Sequence, residues 1–243
     1  MTDTERSEAG KGRNEGEREG SAPAGAADSP RQGNDWAALY GNQDTAARYD
    51  RRFRGRVRGW NNRRVRAAVF AALQRMGGGR LPERVIDAPA GTGRFTADFA
   101  AAGVRVIHLD RSAAMLACVR ATHGPGMEVR ADLRHPPLDD PGAVVLCLRL
   151  MQHLGPEERV EALAGLRRMA PRAVVAYYPG RHYKDVLRRW RRRLGLPFRT
   201  LRPRLGLTQM RAEAERAGWR LVEARAVLPL LSENHLLLLE HAP

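Results

Sequence analysis

One stretch of this chain combines secondary-structure signals that strongly limit its fold. An apolar run ending in Asp87 leads into a tight turn that contains Gly91 and Gly93. A second apolar run, Val104–Leu109, ends in Asp110, 19 residues after Gly91. This strand–turn–helix–strand layout is typical of sites for nucleotide-like cofactors. The backbone approaches the ligand at the glycines, and the carboxylate accepts hydrogen bonds from ribose hydroxyls.

Strand and helix signals alternate along the rest of the chain. The predicted strands are Arg84–Ile86, Val104–Leu109, Met127–Ala131, Ala143–Leu148, Ala173–Tyr177, Trp219–Leu228 and His235–Glu240. The predicted helices are Thr92–Ala102, Ser112–Thr122 with Ser112 as the cap, Glu157–Met169 and Leu207–Ala217. Strands with near-continuous apolar runs are buried on both faces, which indicates a parallel sheet between helices. We therefore predict an α/β fold: a Rossmann-like, doubly wound, seven-stranded sheet, mostly parallel, with a C-terminal antiparallel hairpin.

The composition changes sharply near residue 35. Residues 1–34 are almost free of large apolar side chains, so they cannot bury enough surface to offset the entropy of ordering, and we predict a disordered tail. Residues 35–243 form the predicted domain, which begins with helical pieces over Trp36–Met76. A basic helical insertion at about 181–205 separates the fifth strand from the terminal hairpin.

Arginine dominates the charge of this chain. The net charge is +15, and Lys11 and Lys184 are the only lysines among 42 basic residues. Nine arginines lie within 48–66 and another nine within 181–204. Such clusters attract phosphates on nucleic acid, lipid or a small molecule, whereas a GC-rich genome explains the overall bias without any function.

Other features argue against several protein classes. No apolar run approaches the roughly 20 residues needed to span a bilayer, and the polar N-terminus is unlike a signal peptide. Cys118 and Cys147 are not part of a CxxC pair, so neither a disulfide framework nor a metal site is expected. We expect a cytoplasmic protein with no obligate protein partner.

The segments Asp87–Gly93 and Asp110–Leu116 resemble motifs I and II of the class I S-adenosylmethionine (SAM) methyltransferases. The resemblance runs from about Asp44 to Glu240, and Pro89 stands where the family usually has its first glycine. It implies methyl transfer from SAM to an acceptor that the motifs do not name. The residues that it assigns to the cofactor are Tyr49, Asp87, Ala88, Gly91, Gly93, Asp110, Arg111, Met115, Asp132, Leu133 and Leu148.

The resemblance also implies a role for each of the polar residues. Asp87 would hold the ammonium group of SAM through water, and Asp110 would bind both ribose hydroxyls. Arg111 would stack on adenine, and Asp132 would accept a hydrogen bond from the adenine amino group. Met115 either lines this pocket or packs in the core. Tyr49 lies in a Tyr-Asp pair that begins a helical lid in the family.

Two histidines are candidates for catalysis. A general base is needed only when the acceptor must first lose a proton. His153 follows the fourth strand, where the methyl group should lie, and its ordinary pKa near neutrality suits a base. The alternative is a structural histidine that hydrogen-bonds its loop. His182, after the fifth strand, has less support.

The acceptor is expected to be a small molecule, because the chain resembles the ubiquinone-biosynthesis group of these enzymes. The arginine clusters suit an anionic acceptor. The segment Tyr183–Leu194 predicts a basic amphipathic helix with Trp190 on its apolar stripe. We expect the stripe to dock on the core. If exposed, it would suit an anionic membrane surface or RNA.

Two other functions remain open at this stage. An NAD(P)-dependent oxidoreductase would also place a carboxylate at Asp110, but Thr96 stands where its third glycine belongs. A non-catalytic protein of the same fold would use its basic surface to bind RNA or a membrane. The Asn/Asp-Pro-Pro-aromatic motif of amino methylases is absent after the fourth strand, where Leu148–Met151 stands.

Overall fold

The structure of this chain is a computed structural model that describes residues 56–178, 190, 193, 205–227 and 235–242. The expectations for the tail 1–34, for Tyr49 and for His182 lie outside these residues. So does most of the arginine cluster at 181–204. Within the described part of the chain, no helix is long and apolar enough to cross a membrane.

Seven strands form a single sheet. They are β1 (Arg84–Asp87), β2 (Arg105–Asp110), β3 (Met127–Arg130), β4 (Val144–Cys147), β5 (Arg172–Tyr177), β6 (Trp219–Ala226) and β7 (His235–His241). Their order across the sheet is β3-β2-β1-β4-β5-β7-β6. The first five pair in parallel, and β7 pairs antiparallel with both β5 and β6. The predicted sheet is confirmed, with strand ends that differ by a residue or two.

Helices cover both faces of the sheet. They are α1 (Arg56–Met76), α2 (Thr96–Ala101), α3 (Ala113–His123), α4 (Pro156–Met169) and α5 (Leu207–Arg216). On one face, Val69 of α1 and Phe99 of α2 belong to the same apolar cluster as Val144. On the other face, Leu163 of α4 belongs to the same cluster as Val145. Adjacent residues of β4 thus point into two different cores, which explains the unbroken apolar run in its sequence.

The helix after β1 begins later than its sequence predicts. We expected Thr92–Ala102, and α2 instead spans Thr96–Ala101. Gly93 has a φ of 69°, and its N–H donates to the carbonyl of Ala90 at 3.1 Å. This left-handed residue closes a turn, so helical geometry cannot continue through it. The prediction was wrong over these first residues because Thr92 belongs to the turn.

The helix after β2 begins as its sequence predicts. The Ser112 side chain accepts a hydrogen bond from the backbone N–H of Met115 at 3.3 Å. Such a cap satisfies one of the backbone donors that the first helical turn leaves unpaired. The cap fixes the start of α3 directly after Asp110, at the end of β2.

Helices α4 and α5 are joined by a buried ion pair. Arg159 of α4 donates from Nε and Nη2 to the two carboxylate oxygens of Glu213 in α5, at 2.9 and 2.6 Å. The hydroxyl of Tyr177 donates to the same carboxylate at 3.1 Å. Arg159 Nη1 also donates to the carbonyl of Leu154, at 2.8 Å. The pair therefore fixes α5, α4 and the loop before α4 relative to one another.

The predicted basic helix is described at only two positions, Trp190 and Arg193, and both are helical. The Trp190 side chain is 64% exposed. We expected this residue to dock on the core with the rest of its apolar stripe. At Trp190 the expectation was wrong, because a docked indole would be largely buried.

Candidate functional site

The carboxyl ends of β1 to β4 open into one cleft. Its volume is about 520 Å³, which lies within the range of roughly 300–1,000 Å³ that is usual for small-ligand sites. Parallel strands bring the residues that follow them to the same edge of the sheet. The order β3-β2-β1-β4 places Asp132, Asp110 and Asp87 in a row, followed by the segment after β4.

A compact loop after β1 forms one wall of the cleft. The Ala88–Pro89 peptide is cis, and the backbone N–H of Ala90 donates to the carbonyl of Leu109 at 2.9 Å. Gly91 has a φ of 55°. Apart from its chain neighbours, no described residue has a heavy atom within 4 Å of the place where a Cβ would be. The open space beside Gly91 lets a ligand approach the backbone closely. Pro89 is thus compatible with the glycine turn.

Asp110 links this loop to the start of α3. Its two carboxylate oxygens accept backbone N–H groups from Gly91 at 2.9 Å and from Ser112 at 2.8 Å. Burial raises the pKa of Asp110, while these amides act in the opposite direction. Each carboxylate oxygen has a second lone pair, so the side chain can still accept hydrogen bonds from a diol.

Asp87 lies deeper in the cleft, at the end of β1. Its side chain is buried, and burial together with the nearby charge of Asp110 raises its pKa well above the usual range. A ligand cation beside Asp87 would favour the charged carboxylate. The environment of Asp87 is therefore suited to the ammonium group that the resemblance assigns to it.

Asp132, at the end of β3, pairs with Arg134. Arg134 donates from Nη2 to Oδ2 at 2.7 Å and from Nε to Oδ1 and Oδ2 at 3.1 and 3.2 Å. These hydrogen bonds hold the pKa of Asp132 below its usual range. Sequence reasoning identified Asp132 but missed Arg134. The spacing Asp-x-Arg was the signal that could have revealed the pair.

The segment after β4 forms the far end of the cleft. Arg149 has a φ of 62°, a left-handed conformation that few residues other than glycine adopt. A short 3₁₀ turn over Met151–His153 follows, and the backbone N–H of His153 donates to the carbonyl of Leu150 at 2.8 Å. The half-buried His153 lines the cleft here. Strained backbone of this kind is concentrated at functional sites.

Most of the predicted cofactor residues lie along the cleft, and two do not. The predicted residues that line it are Asp87, Gly91, Asp110, Arg111, Met115, Asp132, Leu133 and Leu148. Met115 is also a buried core residue. Ala88 lies beneath the cleft, where its backbone N–H donates to the carbonyl of Leu146 at 3.0 Å. Gly93 is buried against α3, and a Cβ there would lie 3.1 Å from Val119.

Arginines are unusually frequent around this cleft. Among the described residues, the five that line it are Arg94, Arg111, Arg130, Arg134 and Arg149. Arg134 faces Asp132, and Arg149 lies in the segment after β4. Glu158 of α4 also lines the cleft. Arginine presents a planar fork of donors that matches carboxylate and phosphate geometry. The end of the cleft after β4 is therefore suited to an anionic group.

A sequence profile matches the part of the chain that carries the site. A sequence profile described as a methyltransferase domain matches residues 85–171, the part that runs from β1 to the end of α4. The match covers the glycine loop, all three carboxylates and His153. No curated protein sequence matches the chain.

Solved structures share the fold at low sequence identity. Magnesium protoporphyrin IX methyltransferase from Synechocystis, with bound S-adenosylhomocysteine (SAH), is 17% identical with a TM-score of 0.69, over 86% of this chain and 100% of that one. The 1,6-didemethyltoxoflavin-N1-methyltransferase from Burkholderia thailandensis, with bound 1,6-didemethyltoxoflavin and SAH, is 18% identical with a TM-score of 0.57, over 88% and 92%. A TehB-like SAM-dependent methyltransferase from Corynebacterium glutamicum is 18% identical with a TM-score of 0.56, over 83% and 100%.

Proposed function

We propose, on the premise that this chain carries a class I SAM-dependent methyltransferase domain, that it transfers a methyl group from SAM to a small anionic acceptor. The observation that carries this proposal is the row of Asp132, Asp110 and Asp87 along one cleft. That row complements the base, ribose and ammonium group of the cofactor in order. The space after β4 is then left for the acceptor.

The residues of the cleft fit the cofactor. Gly91 leaves open space beside its backbone, and Asp110 keeps acceptor capacity toward the cleft. Bound SAM supplies a methyl group that its sulfonium already activates. The work of the protein is then to bind both partners, align them and exclude water. Apolar side chains of Leu148, Leu150 and Leu154 line the acceptor end and suit this purpose.

The anionic character of the acceptor is the finer part of the proposal. It is supported by Arg149, which lines the acceptor end of the cleft and whose guanidinium matches carboxylate geometry. Methyl-tritiated SAM and a panel of hydroxylated aromatic acids with their matched amides would test it. We expect at least about tenfold faster transfer to an acid than to its amide, the effect of one charge-assisted hydrogen bond. Transfer to amides alone would contradict an anionic acceptor.

We predict that His153→Ala lowers turnover far more than it lowers SAH affinity. A general base contributes about 10²- to 10⁴-fold to rate when the acceptor must lose a proton. The measurement is kcat on an acceptor from the panel, with the Kd for SAH by calorimetry. His135→Ala is the matched control, since His135 is exposed and lies outside the cleft. Equal turnover in the two variants would make His153 a structural residue.

We predict that SAH binding releases a proton from Asp87. Burial and the charge of Asp110 raise the pKa of Asp87 in the free protein, and the ammonium group of bound SAH lowers it. The affinity for SAH therefore rises with pH between the pKa of Asp87 in the complex and its pKa in the free protein. Calorimetry at one pH in buffers of different ionisation enthalpy measures the released protons. Asp87→Asn should remove the buffer dependence. Binding that is independent of buffer over about pH 5–8 would refute this role of Asp87.

A further inference from the structure

We propose that Arg134 is a positioning residue that sets the base preference of the cofactor site by fixing the orientation of the Asp132 carboxylate. This inference rests on the proposed function, because it concerns the same cleft. It adds a residue that neither the motifs nor the family resemblance identified. It also predicts a property, the discrimination between purine bases, that can be measured without knowing the acceptor.

Several hydrogen bonds hold the Asp132 carboxylate in one orientation. The Arg134 guanidinium binds both oxygens, with its closest contact from Nη2 to Oδ2 at 2.7 Å. The backbone N–H of Arg134 also donates to Oδ1, at 3.0 Å. Bidentate ion pairs of this kind fix the relative orientation of the two groups and also stabilise the charge. The carboxylate therefore cannot rotate freely at the edge of the cleft.

Asp132 retains capacity to bind a ligand. A carboxylate offers about four acceptor positions. Arg134 occupies them with three donors, its backbone N–H, Nε and Nη2, and so leaves one position for a ligand. The Asp132 side chain is 34% exposed, and it lines the cleft beside Leu133. A donor on a ligand can thus reach the carboxylate while Arg134 stays in place.

Helix α4 clamps the segment that carries this pair. Gly165 packs so closely on it that a Cβ would lie 2.0 Å from the carbonyl oxygen of Leu133 and 2.9 Å from the Cα of Arg134. The Arg168 guanidinium donates to the carbonyl of Arg134. Arg134 Nη1 also lies 3.7 Å from a carboxylate oxygen of Glu161. The backbone and the side chain of Arg134 are thus both tied to α4.

The charges around Asp132 favour its ionised form. Besides Arg134, the positive charge of Arg111 after β2 lowers its pKa, and burial acts in the opposite direction. From α4, Glu158 and Glu161 act on Arg134 and keep it charged. An ionised and oriented carboxylate accepts a hydrogen bond from the amino group of adenine. It is repelled by the carbonyl oxygen that hypoxanthine carries at the same position.

The test compares SAH with S-inosylhomocysteine, in which that amino group is replaced by oxygen. Calorimetry of wild type, Arg134→Met and Arg134→Lys gives both dissociation constants. Arg134→Met should weaken SAH about 3- to 10-fold and reduce the preference for SAH by a similar factor, with partial recovery in Arg134→Lys. In Arg134→Met, the loss of SAH affinity should grow toward acid pH. Without the guanidinium, the pKa of Asp132 rises to its usual range, so the carboxylate is protonated at a higher pH than in the wild type.

Arg216→Met is the matched control, because Arg216 forms an exposed ion pair with Glu157 outside the cleft. It should leave both dissociation constants unchanged. If wild type binds SAH and Arg134→Met keeps the same affinity and the same base preference, the inference is wrong while the proposed function stands. If wild type does not bind SAH, the proposed function itself fails.

Discussion

Asp110→Ala should abolish binding of SAM and SAH, with a loss in affinity of at least about 100-fold. Two hydrogen bonds from ribose hydroxyls to a carboxylate account for this loss, at about 1.5–3 kcal/mol each. The same substitution removes the acceptors of the Gly91 and Ser112 N–H groups. The glycine loop and the start of α3 should therefore loosen as well. Calorimetry and thermal unfolding measure the two effects separately.

Two further variants separate ribose binding from loop support. Asp110→Asn keeps an oxygen acceptor and nearly the same shape but loses the charge, so it should weaken SAH strongly with a smaller effect on stability. Ser112→Ala removes the side-chain cap of α3, at about 0.5–2 kcal/mol of stability, but keeps the backbone N–H that donates to Asp110. Unchanged SAH affinity in Asp110→Ala would disprove the assignment of Asp110.

Glu213→Ala should lower the free energy of unfolding by about 3–5 kcal/mol, because it leaves the Arg159 guanidinium buried without its countercharge. The Tyr177 hydroxyl would lose its acceptor at the same time. Denaturant unfolding followed by circular dichroism measures the change. Glu157→Ala is the control, since its ion pair with Arg216 is exposed and such pairs contribute little to stability.

Replacing both partners distinguishes an uncompensated charge from lost packing. The double variant Arg159→Met with Glu213→Leu should recover much of the stability lost in Glu213→Ala, as apolar replacements of buried ion pairs often do. The contrary result would be a free energy of unfolding that falls no further in Glu213→Ala than in Glu157→Ala. That result would show that the buried pair does not join α4 to α5 as the structure indicates.

The sheet was predictable because its signals are local. Unbroken apolar runs such as Val144–Cys147 mark strands buried on both faces, and the helices between them imply parallel pairing. The start of α2 was not predictable in this way. Thr92 and Arg94 are compatible with a helix, and only the left-handed conformation of Gly93 excludes one. A glycine in sequence permits that conformation but does not require it.

The cofactor end of the cleft was also accessible from sequence, since Asp87, Asp110 and Asp132 each directly follow a predicted strand. The contacts that support the cleft were not accessible from sequence. Arg159 meets Glu213 across 54 residues of chain, and no local pattern relates the two. Likewise, Gly165 within α4 shows no sign in sequence that it contacts the backbone of Leu133. Such contacts depend on tertiary packing.

The most direct test of the central claim is calorimetric titration of the full chain with SAM and SAH, with NADH and NADPH as controls. The cleft is expected to bind the two sulfur-containing ligands in the micromolar range and neither nicotinamide cofactor. Binding of NADH or NADPH in their place, or no binding of any of the four, would contradict a SAM-dependent methyltransferase.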